Sequence, residues 1–172
     1  VIDCGSAWEQ TFTQLIDRGE LMSDPSFLVT TPTLTDPSLA PAGRHTYYAL
    51  FPVPNLDPRR DNALDWNRER DRYRDRIVRT LEERGYPGFG DAIECEHLVT
   101  PADWLAQGIA AGAPFAAAHS FGQTGPFRSP TLDPRIENLV FAGSNAQPGV
   151  GVPMVLISGR LAAERVVGAM GR

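Results

Sequence analysis

The feature that most constrains this chain is a glycine- and proline-rich stretch between two apolar runs, "GSNAQPGVGVPMVLISGR" (residues 143–160). The wholly apolar run before it, 138–142, is typical of a strand buried on both faces of a parallel sheet. The segment after it, 153–170, predicts an apolar helix with proline in its first turn. Such a turn directs backbone N–H groups and the positive end of the helix dipole at whatever lies before Val152.

The glycines of this stretch do not fit the common nucleotide-binding loops. A dinucleotide fingerprint that includes Gly149 and Gly151 needs a third glycine where Met154 stands, and an acidic ribose ligand about 20 residues further on. A Walker loop needs lysine, whereas all 16 basic residues here are arginine. Two interpretations stay open at this point. The glycines serve packing alone, or their missing Cβ atoms let a flat ligand approach the backbone.

Charge excludes two broad function classes. The chain carries 16 basic and 21 acidic side chains, a net charge of -5 with no basic patch, so nucleic acid is not expected as a partner. The densest run of charge, 65–84, balances seven arginines against six acids, which indicates a solvated helix face. Without lysine, Schiff-base catalysis is also excluded.

The cysteines and histidines show no metal-binding pattern. Cys4 and Cys95 are far apart and outside any CxxC motif, which favours two free thiols in a reducing compartment. His45, His97 and His119 lack the spacing of metal ligands, so no metal site is predicted.

A serine-hydrolase motif is nearly present at residues 118–122, "AHSFG". In a nucleophile elbow the serine turns directly into a helix, yet "QTGP" follows this one. The triad also needs a later histidine, and His119 is the last in the sequence. The motif therefore predicts no hydrolase.

Periodicity and turn residues predict the remaining elements. We expect a first helix capped by Ser6 and ended near Gly19, with an apolar stripe of Trp8, Phe12, Leu15 and Ile16. We expect two strands, 27–31 and 45–51, to pair across a turn-rich loop. A long helix over 65–84 follows, capped by Asp65 and ended by Gly85, and then a strand over 93–100 and a short helix from Pro101. The apolar face of the long helix is Trp66, Tyr73, Ile77 and Leu81.

Two segments resemble one known family. The run "NLVFAGSNAQPGVGVPMVLISGRLAAERV" (138–167) resembles the C-terminal flavin-contacting segment of the bacterial-type phytoene desaturases, which are FAD-dependent, amine-oxidase-like flavoproteins. The run "TLTDPSLAPAGRHTYYALFPVPNL" (33–56) resembles the central segment of the same family, as does the later order of a helix, "PGF" and "TPADW". The resemblance thus extends over nearly the whole chain.

The resemblance implies an α+β fold in two parts. Residues 1–130 would be the later half of a substrate-binding domain, with antiparallel strands and helices around an apolar tunnel. Residues 131–172 would be the C-terminal strand and helix of a split FAD-binding Rossmann domain. The GxGxxG motif would lie upstream, in an N-terminal part of the same protein, so this chain would be a C-terminal portion.

The resemblance also implies where FAD and substrate would lie. Gly143 and Ser144 would follow the ribityl-pyrophosphate, and the helix start would stabilise negative charge on the N1/O2 edge of the reduced flavin. Phenylalanines 115, 121 and 127 are candidates for substrate surfaces, with core packing as the alternative for each. The residues expected at the cofactor are Gly143, Ser144, Gly149, Gly151, Val152, Pro153 and Met154; those expected at the substrate are Phe115, Phe121 and Phe127.

The implied activity is desaturation of a phytoene-like polyene by hydride transfer to flavin, with no catalytic residue assigned in this chain. Many family members carry Thr-His where Ala146 and Gln147 stand here, which leaves the exact polyene open. The alternatives are another polyene or retinol oxidoreductase, and a substrate-binding or assembly module without flavin chemistry. The expected location is cytoplasmic, with peripheral membrane contact implied by the substrate. The fragment alone is expected to be inactive and to hold little FAD.

Overall fold

The computed structural model describes residues 1–59 and 64–170. Backbone contacts divide the chain into two compact units, Val1–Ala113 and Pro114–Arg172. The first unit combines a small antiparallel sheet with helices, which confirms the predicted α+β class. The domain division predicted at residue 130 stays a prediction.

A three-stranded antiparallel sheet lies in the first unit. Its strands are β1 (Ile2–Asp3), β2 (Phe27–Thr30) and β3 (Tyr48–Leu50), in that spatial order. The predicted pairing of the second and third strands is confirmed, with Val29 opposite Ala49. Alternation along β2 buries Phe27 and Val29, because successive side chains of a strand point to opposite faces.

The first helix, α1 (Trp8–Phe12), continues as a π-helical turn, Thr13–Arg18. It ends at Gly19, as predicted, where a left-handed φ of 66° suits a residue without Cβ. Its apolar stripe does not enter the core of this unit. The exposed side chains of the stripe are Trp8, Phe12 and Ile16.

The prediction that Ser6 caps this helix is wrong. The N-cap residue is Ala7, and its N–H donates to Oδ2 of Asp24 at 3.0 Å. That bond, followed by the charge of Arg84, holds the pKa of Asp24 below its ordinary value. Arg84 also bonds Asp3 at 2.6 Å, so one guanidinium joins β1 to the residues before β2. The described residues give α1 no side-chain cap, and Asp24 instead fixes the backbone just before the helix through this ion-pair network.

The long helix α2 (Trp66–Glu83) forms one side of the core. It begins after Asp65, whose carboxylate accepts the N–H of Asn67 at 3.0 Å, as the capping prediction requires. Trp66, Tyr73 and Leu81 are buried on one face, which confirms the predicted stripe. They pack with the buried side chains of the sheet; the core residues are Phe27, Val29, Phe51, Trp66, Tyr73 and Leu81.

The strand predicted over 93–100 is wrong. Arginines of α2, rather than a neighbouring strand, bind this segment. Arg74 pairs with Glu96 at 2.8 Å and holds the pKa of that carboxyl below its ordinary value. Arg70 donates to the carbonyl of Leu98 at 2.5 Å. In place of a β ladder, the segment is bound to α2 through one backbone carbonyl and one side-chain carboxylate.

The short helix α3 (Pro101–Ala106) forms as predicted from Pro101. Thr100 and Asp103 make a capping box, with the Thr100 N–H donating to Asp103 at 2.7 Å. Gly112 then packs against the start of this helix with a φ of 61°. Its N–H donates to the carbonyl of Ile109 at 2.9 Å. The turn after α3 thus depends on a glycine in close contact with backbone.

In the second unit the predicted C-terminal helix is confirmed as α4 (Val152–Met170). The strand predicted over 138–142 does not form among the described residues. The segment makes one isolated antiparallel bridge, between Val140 and Leu132, and the Phe141 N–H donates to the carbonyl of Thr131 at 2.7 Å. Phe141 is exposed, because no neighbouring strand of a parallel sheet lies beside this run in the described part of the unit.

None of the helices among the described residues combines the length and the apolar character needed to cross a membrane. The longest of them is α4, at 19 residues. Several of its apolar side chains are exposed within this chain; these are Val152, Leu156, Ile157, Val166 and Val167.

Two polar atoms in the core of the first unit lack hydrogen-bond partners among the described residues. They are Nε1 of Trp66 and the hydroxyl of Tyr73, whose rings meet edge to face with centroids 5.9 Å apart. Burial raises the pKa of the Tyr73 phenol to about 12. The hydroxyl therefore lies in the core without the hydrogen bond that normally offsets its desolvation.

Replacing Tyr73 with phenylalanine is expected to leave stability at neutral pH unchanged or raised by up to ~1 kcal/mol, because an unpaired buried hydroxyl is removed. The unfolded phenol releases its proton near 10.0 and the folded one near 12, so alkali favours unfolding of the native protein across that interval. The free energy of unfolding of the native protein should therefore fall by about 2–3 kcal/mol over this interval, and that of the variant should not. Urea unfolding between neutral and alkaline pH measures it.

The exposed Tyr48 supplies the matched control. Tyr48→Phe also removes one phenol and should keep the alkaline loss of the native protein. An alkaline loss that persists unchanged in Tyr73→Phe would contradict the assignment.

Candidate cofactor-binding site

Three glycines shape the loop between the 138–142 run and α4, which we call the glycine loop (residues 143–151). Gly143, Gly149 and Gly151 have φ values of 111°, 144° and 112°, a region that side chains with Cβ rarely adopt. At Gly143 and Gly151 no heavy atom lies within 4 Å of where a Cβ would stand. The loop therefore presents bare backbone with open space over it.

The start of α4 lies directly beside this open backbone. The N–H of Val155 donates to the carbonyl of Gly151 at 2.9 Å, which closes the first helical turn. The N–H groups before it have no partner within a helix, so they carry the positive end of the helix dipole. Val152, Pro153 and Met154 are exposed. These predicted cofactor residues lie together, next to Gly151.

Ser158 fixes the other end of the glycine loop to α4. It is fully buried, and its Oγ accepts the N–H of Gly143 at 3.1 Å. Its small size lets the loop approach the helix, while its hydroxyl satisfies a backbone donor that would otherwise be unpaired.

Arg128 holds the glycine loop in place, and the sequence analysis did not identify it. Its side chain is 3% exposed. Its guanidinium donates twice to the carbonyl of Ser144, at 2.7 and 3.1 Å, and also to the carbonyls of Gln123 and Ala117 at 3.1 and 3.2 Å. The predicted cofactor residue Ser144 is therefore held by its backbone oxygen.

Further bonds fix the glycine loop to the 117–129 segment. The Ala117 N–H donates to Oδ1 of Asn145 at 3.0 Å. The Gln147 N–H donates to the carbonyl of Ser129 at 2.9 Å. The Gln147 side chain adds a longer bond, from Nε2 to the carbonyl of Gly125 at 3.4 Å. Ala146 is buried, and its N–H donates to the carbonyl of Gly143 at 3.1 Å.

A signal for Arg128 does exist in the sequence. It is the one side chain with a formal charge between Asp103 and Asp133, in a stretch rich in glycine, alanine and proline. A lone arginine in such a stretch has no acidic neighbour on its own segment. Its partners must then be backbone carbonyls or more distant groups.

The three phenylalanines predicted at the substrate are all exposed within this unit. Phe115 and Phe127 are each 59% exposed, and Phe121 is 84% exposed. The rings of Phe121 and Phe127 lie together, with centroids 5.3 Å apart. Within the described residues these rings are not buried. Contact with substrate and packing in a core both stay predictions.

The near-miss hydrolase motif also has no catalytic geometry. Ser120 precedes a three-residue 3₁₀ turn, Phe121–Gln123, instead of a strand-to-helix elbow.

Comparison with known proteins identifies the family of this chain. The sequence profile of the flavin-containing amine oxidoreductases matches residues 5–167. The chain belongs to this family. In the flavin-containing amine oxidoreductases the cofactor implied is FAD, and the present residues fit it. Bare backbone at Gly143 and Gly151 leaves space for a flat ring, and the start of α4 offers N–H donors suited to its electron-rich edge.

Curated relatives of this chain are named as phytoene dehydrogenases and desaturases. The chain is 55% identical over 167 residues to a phytoene dehydrogenase of Streptomyces griseus, covering 97% of this chain and 33% of that protein. It is 43% identical to a zeta-carotene-forming phytoene desaturase of Myxococcus xanthus, covering 84% and 28%. It is 34% identical to a neurosporene-forming phytoene desaturase of Rhodobacter capsulatus, covering 94% and 31%.

These identities confirm the predicted resemblance to bacterial carotenoid desaturases. The chain spans about a third of the length of these relatives.

Proposed function

We propose that this chain is the C-terminal portion of an FAD-dependent enzyme that desaturates a phytoene-like carotenoid precursor. The longer protein is called the whole protein below. The observation that carries the proposal is the glycine loop, whose open backbone at Gly151 meets the N-terminus of α4. The similarity to phytoene desaturases over nearly the full chain supports the choice of substrate.

In this proposal the chain supplies a surface for the flavin ring. Gly143, Ser144 and Gly149 lie along the cofactor, and Gly151 with the first turn of α4 meets the isoalloxazine. The bound flavin supplies a hydride acceptor. The helix dipole stabilises negative charge at its N1/O2 edge. The chain contributes alignment and exclusion of water, so no side chain here is assigned as the acceptor of the second hydrogen, which leaves as a proton.

The remaining parts of the chain take the roles that the resemblance implies. Residues 1–130 form the later half of a substrate domain, and 131–172 complete a split Rossmann domain with an N-terminal part of the whole protein. The exposed phenylalanines, Phe115, Phe121 and Phe127, provide apolar surface for a long polyene. Because such a substrate dissolves in lipid, we place the whole protein in the cytoplasm with peripheral contact to the membrane.

The proposal is tested by flavin content and product. We expect the purified whole protein to show the flavin band near ~450 nm and to convert phytoene, in lipid vesicles, into products with longer conjugation and red-shifted absorbance. Because these 172 residues contain no GxGxxG fingerprint, the chain alone should hold little or no FAD.

Three outcomes would count against parts of this proposal. A whole protein that contains flavin and converts another polyene or a retinoid, but not phytoene, would be a different oxidoreductase of the same flavoprotein group. A whole protein without flavin would indicate a binding or assembly module. Stoichiometric flavin in the 172-residue chain would show that the upstream half is not needed to hold the cofactor.

A further inference from the structure

Arg128 carries a buried positive charge that nothing in the described part of the chain neutralises. Its side chain is 3% exposed, and all of its hydrogen bonds go to backbone carbonyls. None of the ion pairs among the described residues includes it. Arg135, the next arginine along the chain, is by contrast 83% exposed at its side chain and pairs with Asp133.

Burying an unpaired guanidinium costs free energy of folding, unless the charge has a function that offsets this cost. Four bonds to carbonyl oxygens replace part of the lost hydration, but they do not cancel the charge. Buried guanidinium groups are normally paired with an anion. A nearby group that is or becomes negative would therefore gain stabilisation from Arg128, and the gain is large because water is excluded around the guanidinium.

The position of Arg128 places this charge directly behind the glycine loop. Its Nε lies 3.8 Å from where a Cβ of Gly149 would stand, and its fork holds the carbonyl of Ser144. Gly149, within the loop, is buried. The dipole of α4 adds to the same positive potential from the other end of the loop.

We propose that Arg128 is a positioning residue that fixes the glycine loop and also raises the reduction potential of a flavin bound there. This inference rests on the proposed function. Hydride transfer from substrate delivers two electrons and one proton to the ring and adds one negative charge to it. A fixed cation behind the loop stabilises that charge more than it stabilises the neutral oxidised ring, so it favours the reduced state.

The test separates the charge of Arg128 from its hydrogen bonds. In the whole protein, Arg128→Gln keeps amide donors for the carbonyls but removes the charge. Arg128→Lys keeps the charge but loses the planar fork. Flavin content and the two-electron potential are measured for both, with the exposed Arg135→Gln as a control for loss of one arginine.

In the glutamine variant we expect the equilibrium between oxidised and reduced flavin to shift about tenfold toward the oxidised form. Its two-electron potential would then lie ~30 mV below that of the native protein. The lysine variant should keep most of the native potential, although both variants hold less flavin. The Arg135 control should match the native protein. A glutamine variant that loses its flavin while the lysine variant retains it would also support the role of the charge.

Equal potentials in the glutamine and lysine variants would overturn the inference, and so would complete loss of flavin from both. Either result would reduce Arg128 to a hydrogen-bonding role. Failure of the proposed function is distinguishable, because the unaltered whole protein would then contain no flavin.

Discussion

Replacing Gly151 with leucine should remove flavin from the whole protein while leaving it folded. The backbone at Gly151 has a φ of 112°, and the space around its missing Cβ is empty within 4 Å. A leucine there fills the surface that we propose meets the isoalloxazine. We expect flavin content to fall more than about tenfold, since a ring displaced by even one side chain loses its stacking surface and its donors. Absorbance of the purified protein measures the loss.

The strain of a non-glycine residue needs its own control. Gly85 has nearly the same φ, 109°, and equally open surroundings, but it follows α2 in the first unit. Gly85→Leu should therefore carry a similar backbone cost and keep its flavin. Unchanged flavin content in Gly151→Leu, or equal loss in both variants, would argue against the placement of the ring.

The largest effect on stability is expected from Gly112→Ala. Its φ of 61° is unfavourable for alanine, and the new Cβ would lie 2.8 Å from the carbonyl carbon of Pro101 and closer still to its oxygen. Backbone strain and a clash with backbone at the start of α3 should together cost at least about 3 kcal/mol. Urea unfolding followed by tryptophan fluorescence measures it, because Trp66 is buried in the same unit.

Gly108→Ala separates the clash from the strain. Gly108 also follows α3, with a φ of 84°, but no atom lies within 4 Å of its Cβ position. We expect this variant to lose about 1 kcal/mol, which is the strain alone. If the two alanine variants were equally stable, the close approach of Gly112 to Pro101 would not exist in solution.

Local signals were sufficient for much of the fold. Asp65 before an apolar stripe and Gly85 after it predicted α2 to within a residue or two, because capping and periodicity act on neighbours in sequence. The strand pairing of 27–31 with 45–51 was also predicted correctly. The error at 93–100 arose because β propensity says nothing about arginines on a helix, and these arginines bind that segment.

The difference between local signals and contacts of distant residues also explains which site residues were found. Gly149 and Gly151 were identified because glycines next to a predicted helix start are a local signal, and the family resemblance then indicated the ligand. Arg128 was missed because its partners are main-chain oxygens, which every residue possesses and which no side-chain motif reports. The start of α1 was assigned to Ser6 for a similar reason, since Asp24, which binds the Ala7 N–H before the helix, is 17 residues away in sequence.

The arginines that bind the 93–100 segment also give it a distinct response to ionic strength. Arg74 and Glu96 are 31% and 47% exposed at their side chains, so dissolved salt screens that pair. The core under β2 and α2 depends on apolar burial and is not weakened in this way. As salt concentration rises, this segment should loosen from α2 while the core keeps its packing. The 93–100 segment, which is bound by arginines instead of a neighbouring strand, is therefore sensitive to salt. The apolar core of the same unit is not.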